Sequence, residues 1–258
     1  MDRYFAQVEY LGSHYHGFQC QKNTNKTIQY ELENALSKVG NEEIKVVCSG
    51  RTDAGVHALN QIIHFDTKSK RKIDSWIKGA NRFLPEDICL KNIFKVSNEM
   101  HARFNAISRT YVYLIQNSLE KPAINSKKAL WCSHALDHKK MNSAAKKLIG
   151  EKDFSSFRAS GCQSHSPIRK ITVAEVNRKG KYIIIKVTGN AFMLNMMRII
   201  VGTLLRVGKK EIGIREFEQI IKLKNRKYSG KTVSPNGLYF IGPEYNEIEY
   251  KKDELGIL

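Results

Sequence analysis

The sequence predicts an α+β protein of two units, each with a mainly antiparallel sheet and helices on one side. Three observations carry this reading. Stretches of β-type alternation and of 3.6-residue periodicity follow one another along the chain, and the pattern restarts after about residue 105. Some strands are joined by turns of hairpin length, as at Lys179 to Lys181, too short for a parallel crossover. At 258 residues the chain exceeds the usual single-domain size. No Pro-rich or Gly-Ser linker divides it, so the expected domains, residues 1–105 and 106–258, are tightly docked.

Tyr4 to Leu11 alternate aromatic or apolar with polar side chains, as a strand with one buried face does. A loop rich in Gly, His and Gln follows. Thr27 is placed to cap a helix on which Ile28, Leu32, Leu36 and Val39 share one face, and Gly40 ends it. Lys45 to Cys48 and Gln61 to Phe65 are short strands, Trp76 to Phe83 a helix stopped before Pro85, and Ile88 to Val96 another strand. In the second half strands are expected at Thr110 to Gln116, Ile171 to Arg178, Tyr182 to Thr188 and Leu238 to Ile241. Helices are expected at His138 to Ile149, Met193 to Val207 and Arg215 to Leu223.

Composition narrows the function classes. Hydrophobic residues at 41% and charged residues at 26% exclude a disordered or fibrous chain. Lys plus Arg number 43 against 25 Asp plus Glu, a net charge of +18, and the pI of about 9.7 is that of nucleic-acid binders. Basic clusters at Lys68 to Lys72, Lys127 and Lys128, Lys146 and Lys147, and Lys222 to Lys227 are spread widely, which predicts a broad basic surface with salt-sensitive binding. Five dispersed cysteines without a C-x-x-C pair fit a reducing cytoplasm. The start shows no signal-peptide core, and the most apolar stretch, Ala191 to Val207, is broken by Asn195, Arg198 and Arg206, so no membrane span is expected. Eight histidines without zinc spacing, and the lack of a P-loop or dinucleotide fingerprint, predict no metal and no nucleotide cofactor.

Three segments carry chemistry. In Gly50-Arg51-Thr52-Asp53-Ala54-Gly55-Val56-His57-Ala58 one carboxylate stands between a cation and small residues, in a strand connection where a flat substrate can come close. Asp53 is a candidate nucleophile there; an Asp capping a solvated turn is the plainer alternative. In Arg103 to Tyr113, Tyr111 and Tyr113 fall on one face of a strand beside Arg103 and Arg109, as base-stacking rings or as core tyrosines with satisfied hydroxyls. In Asn190 to Gly202, Arg198 sits within an apolar helix, where a cation needs a partner, most often an Asp.

Taken together in this order, GRTDAGVHA, Arg103 to Tyr113 and NAFMLNMMRIIVG resemble the TruA family of tRNA pseudouridine synthases. Tyr10-Leu11-Gly12-Ser13, His16-Gly17-Phe18, Thr27-Ile28-Gln29, Asp153 to Arg158 and Gly237-Leu238-Tyr239 extend the resemblance along nearly the whole chain. It implies two RRM/ferredoxin-like α+β domains joined into one extended sheet, with an active-site cleft between them. It further implies isomerisation of uridine to pseudouridine at positions 38, 39 and 40 of the tRNA anticodon stem-loop, by a cytoplasmic homodimer without cofactor. By the same resemblance Asp53 is the nucleophile, Tyr111 stacks on the target base and helps remove its C5 proton, Arg198 pairs with the carboxylate, and Arg51 fills the space of the flipped nucleotide. Phe18 and Cys20 depart from the family, which often has Trp and a basic residue there; those changes bear on RNA contacts of the first loop. A non-catalytic tRNA-binding or RNA-chaperone module and a base-excising hydrolase are the other two readings. Free uracil as product would mark the hydrolase.

Overall fold

A computed structural model describes residues 1–253, 255 and 256. Its elements alternate as an α+β chain does. The first part runs β1 (Asp2–Tyr10), α1 (Ile28–Gly40), β2 (Val47–Cys48), β3 (His57–Thr67), α2 (Ile73–Phe83) and β4 (Ile88–Val96). The second runs β5 (Ser108–Asn117), β6 (Leu130–Cys132), α3 (His138–Ala145), β7 (Gly150–Asp153), β8 (Ile168–Lys179), β9 (Tyr182–Gly189), α4 (Met196–Gly208), α5 (Ile214–Leu223) and β10 (Leu238–Glu244). Two compact units result, Met1–Arg109 with Phe240–Leu258, and Thr110–Tyr239. The stretch from Phe240 onward, expected in the second domain, therefore belongs to the first unit, because most of β10 lies beside β3.

In the first unit the strand order is β4-β1-β3-β10, with β2 at the far end of β3, and β1 pairs antiparallel with both β3 and β4. Thr27 caps α1 as its position predicts, its hydroxyl accepting from the Tyr30 amide. The left-handed residue at the other end is Asn41, at φ 55°, and Gly40 remains helical. Trp76 of α2 is fully buried against Phe65 of β3, their ring centroids 5.4 Å apart.

One expectation for β1 does not hold. Tyr4 through Val8 are all buried, so this strand has two covered faces. Phe5 and Ile62 meet Met100, Ala102, Ala106 and Tyr245, from segments before and after the other unit in the chain. A central strand covered by helices on one side and by loop and tail on the other needs no polar face.

In the second unit the order is β5-β9-β8-β7, with β6 added parallel to β5. The β8–β9 hairpin turns where Lys179 to Lys181 predict it. β6 and β7, of three and four residues, carry too few side chains to show a period of two. Helix α4 begins at Met196, three residues later than its apolar pattern suggests, because Asn195 is left-handed at φ 57°. Its Ile199, Ile200, Val201 and Leu204 are buried on several sides, which makes it the central helix of this unit. Among the described residues no helix is long and apolar enough to cross a membrane.

His64 lies in the second-face core of the first unit, 5% exposed, and its Nδ1 accepts from the Ala102 amide at 3.1 Å. Burial, helped by the nearby Arg3 charge, pulls its imidazole down to about 4. The unfolded chain takes that proton near pH 6.5 and the folded chain only near 4, so this stabilisation is complete above the unfolded value and is lost as pH falls between the two. Equilibrium unfolding at stepped pH should show wild type losing on the order of 2 kcal/mol more than His64→Asn between pH 6.5 and 4, because Asn keeps an acceptor and does not titrate.

Candidate active site

The Asp53 loop leaves β2 and enters β3 at His57, four residues before the strand onset read from its apolar run. It is fastened from both sides by groups of its own unit. On one side lies the loop after β1. A Cβ placed on Gly12 would fall 1.9 Å from the Val56 carbonyl oxygen, so main chain crosses main chain here as only glycine permits. That approach lets the Gly12 amide donate to His57 Nδ1 at 3.1 Å, Gly55 to the Tyr15 carbonyl at 3.3 Å and Phe18 to the Thr52 carbonyl at 3.0 Å. Within the loop Val56 donates to the Asp53 carbonyl at 3.2 Å, and Gly55 takes φ 79°.

On the other side stands Gln61, fully buried in the middle of β3. Its amide nitrogen donates to the Gly50 carbonyl at 2.7 Å and its oxygen accepts from the Ser49 hydroxyl at 2.7 Å. Tyr10 reaches the same place, its hydroxyl 2.7 Å from Thr52 Oγ1. Arg109 donates to the Ser49 carbonyl through Nε at 3.3 Å and Nη2 at 3.1 Å. Asp53 is thus half-buried on a loop whose neighbours Thr52 and Val56 are buried, while Arg51 and Ala54 are exposed. Cys48, the nearest thiol in sequence, is no rival nucleophile: burial pushes it up to about 12 against the pull of Arg51, and a thiol that stays protonated is inert.

Phe18 is 1% exposed, with its ring 6.3 Å from that of Tyr10. It supports the loop from beneath and offers no surface to RNA, so of the two family departures in the first loop only the exposed Cys20 faces solvent.

The second unit carries the other two candidates. Tyr111, 8% exposed, meets Phe192 edge-on at 4.9 Å between centroids. Tyr113, on the same strand face, follows the core alternative: it is fully buried and its hydroxyl donates to the Ser234 carbonyl at 2.6 Å. Arg198, in the first turn of α4, is half-buried and donates through Nε to the Val233 carbonyl and through Nη1 to Asn195 Oδ1, both at 2.7 Å. The Val233 segment can reach α4 because Gly202 has no side chain; a Cβ there would lie 1.9 Å from the Lys231 carbonyl oxygen. Among the described residues no group of three or more His, Cys, Asp or Glu is placed to hold a metal ion.

The sequence motifs give no role to Gln61, His57, Tyr10 or Thr52, and mark Arg109 only as a cation near a stacking strand. Gln61 leaves a trace as the polar residue that heads the run Ile62, Ile63 and Phe65.

The family described as tRNA pseudouridine synthase matches residues 6–105 and 144–246. The tRNA pseudouridine synthase A of Francisella tularensis subsp. mediasiatica is 43% identical over 252 residues, which are 98% of this chain and 97% of that one. Its namesake in Francisella philomiragia is 41% identical over the same shares. Among solved structures, a Cbf5-Nop10-Gar1 complex aligns with 78% of this chain and 45% of its own at TM-score 0.36 and 14% identity. An archaeal box H/ACA sRNP Nop10-Cbf5 complex aligns with 87% and 59% at TM-score 0.36 and 12% identity. The chain spans less than two thirds of those two.

Gly12→Ala should force the first loop away from Val56, since the atom it meets belongs to main chain. The expected cost is about 2–3 kcal/mol, read as a melting temperature lowered by roughly 5–10 °C. Amide exchange over residues 50–58 should accelerate more than over α1.

Proposed function

The chain belongs to the tRNA pseudouridine synthases, isomerases that convert uridine in tRNA to pseudouridine, and we propose that Asp53 is the nucleophile through which it does so. What carries this reading is the Asp53 loop itself: its main chain is held by main-chain bonds on one side and by Gln61 and Arg109 on the other, with the half-buried Asp53 on it. A loop so fixed spends little ordering entropy when the substrate arrives.

In the reaction the N1–C1′ bond of uridine breaks, a C5–C1′ bond forms, and the C5 proton is replaced by one on N1, so no atom is gained or lost overall. The carboxylate attacks C6 of the ring, and then tethers the base while it turns, or attacks C1′ of the sugar, and then holds the sugar as N1 leaves while the detached base turns within the site. Tyr111 stacks on the uracil and helps remove the C5 proton. Arg198 is the charge partner of Asp53; the support is a guanidinium whose Nε and Nη1 are fixed on the Val233 carbonyl and Asn195 Oδ1, so that these two bonds set its position. Arg51, exposed on the same loop as Asp53, enters the space left when the uridine flips out and offsets part of a cost of a few kcal/mol. The substrate positions are 38, 39 and 40 of the anticodon stem-loop, bound by a cytoplasmic homodimer in which each chain's net charge of +18 neutralises tRNA phosphates.

Position-resolved pseudouridine mapping on a tRNA panel, with tritium release from uridine labelled at C5, tests this. Asp53→Asn should lower the rate by about 10³-fold or more while retaining tRNA binding. Pseudouridine formed by Asp53→Asn at the wild-type rate would sink the assignment. Wild-type binding without product would favour the chaperone reading, and free uracil the hydrolase. Light scattering after size exclusion should return twice the chain mass.

A further inference from the structure

Phe104 is held in water. Its ring is 75% exposed, more than any other aromatic side chain among the described residues. A mobile tail would make that unremarkable, but the turn carrying it is anchored. Ala102 and Ala106, on either side, are buried with Phe5, Ile62, Met100 and Tyr245. The Tyr245 hydroxyl donates to the Ala102 carbonyl at 2.7 Å, and the Ala102 amide to His64 Nδ1 at 3.1 Å. The His101 amide donates to Asn105 Oδ1 at 2.8 Å, while His101 Nδ1 accepts from the amides of Arg103 and Phe104 at 3.1 and 3.2 Å. The small residues point inward and the large apolar one outward, an inversion of what burial favours.

The ring is also flanked as a ligand-binding aromatic is. It stacks on His101, with centroids 4.2 Å apart and planes at 26°, and the Arg103 guanidinium lies 5.7 Å from its centroid. Burial and the charges of Arg3 and Arg103 draw the His101 imidazole below its ordinary value, in keeping with an Nδ1 that accepts two amides. Arg109 ties this turn to the active loop: its Nη2 donates both to the Arg103 carbonyl and to the Ser49 carbonyl, one residue before Gly50. Ring and Asp53 loop are thus braced by one guanidinium within the same unit.

We infer that Phe104, backed by His101 and flanked by Arg103, is a stacking platform for an unpaired base of the substrate tRNA. Every nucleobase offers a π-face, so such a ring grips RNA without reading its sequence, and a neighbouring arginine adds a cation for base or phosphate. The strongly basic chain and the family's tRNA substrate favour RNA over a protein partner as the occupant. This platform rests on the tRNA reading above and deepens it: it adds binding that is independent of the chemistry at Asp53.

The test compares Phe104→Ala, Phe104→Trp and Phe104→Leu with wild type in tRNA binding and in steady-state kinetics. Phe104→Ala should weaken tRNA binding by about fivefold or more, with the loss in KM rather than in kcat and with an unchanged melting temperature. Phe104→Trp should bind as wild type does and lose indole fluorescence on addition of tRNA beyond any change in wild type. Phe104→Leu should behave as Phe104→Ala, since it keeps apolar area without a π-face. Equal affinity for wild type and Phe104→Ala overturns the inference, as does full rescue by Leu. A variant that changes the mass of the assembly in solution but not tRNA affinity overturns it in favour of a protein contact. Wild type that binds tRNA but makes no pseudouridine would remove the catalytic reading and leave the binding comparison intact.

Discussion

Gly12 and Val56 touch main chain to main chain, and the presentation of Asp53 depends on that contact. With any side chain at Gly12 a Cβ would fall 1.9 Å from the Val56 carbonyl oxygen, so the two loops would have to move apart. The bonds from Gly12 to His57, from Gly55 to Tyr15 and from Phe18 to Thr52 would then lengthen together. The Gly55 and Phe18 bonds join backbone to backbone and leave few rotamers to freeze, so they position a loop more rigidly than the same number of side-chain bonds would. Gln61 and Arg109 complete the frame from the opposite side, both acting on carbonyls at the loop's entrance. Five supports for one loop make it preorganised, its ordering cost met at folding.

The second unit uses the same device for its cation. Gly202 allows the Lys231 segment onto α4, and the Val233 carbonyl two residues on receives Arg198 Nε. A positive group in the first turn of a helix works against the helix dipole, where an acidic one is favoured. The Val233 carbonyl and Asn195 Oδ1 accept from the guanidinium and hold it in place. A local rule is broken here, and the bonds to Val233 and Asn195 offset the cost.

Phenylalanine at two places in the first unit shows how context divides one residue type. Phe18 is buried under the Asp53 loop and contributes packing; Phe104 is exposed on a turn fixed by buried alanines. Hydrophobicity alone assigns both to the core. Only the second has an imidazole behind it and a guanidinium beside it, and only the second is available to a base.

What the residues determine unaided is local. The Thr27 cap and the apolar face of α1, the β8–β9 turn, and the order of strands and helices follow from interactions within a few residues, and they are legible for that reason. The motif around Asp53 is legible as well, because its unusual composition lies in one continuous stretch. The tertiary structure decided what lies far apart in the chain. Both faces of β1 are covered because Met100, Ala106 and Tyr245 return to it, and the tail from Phe240 joins the first unit because β10 lies beside β3. Arg109 reaches Ser49 across 60 residues, and Tyr113 leaves the candidate rings because Ser234, 121 residues on, takes its hydroxyl. Periodicity reports which face of an element is apolar, but not which distant segment will arrive to cover it or to accept its hydrogen bond; that is settled only when the chain closes on itself.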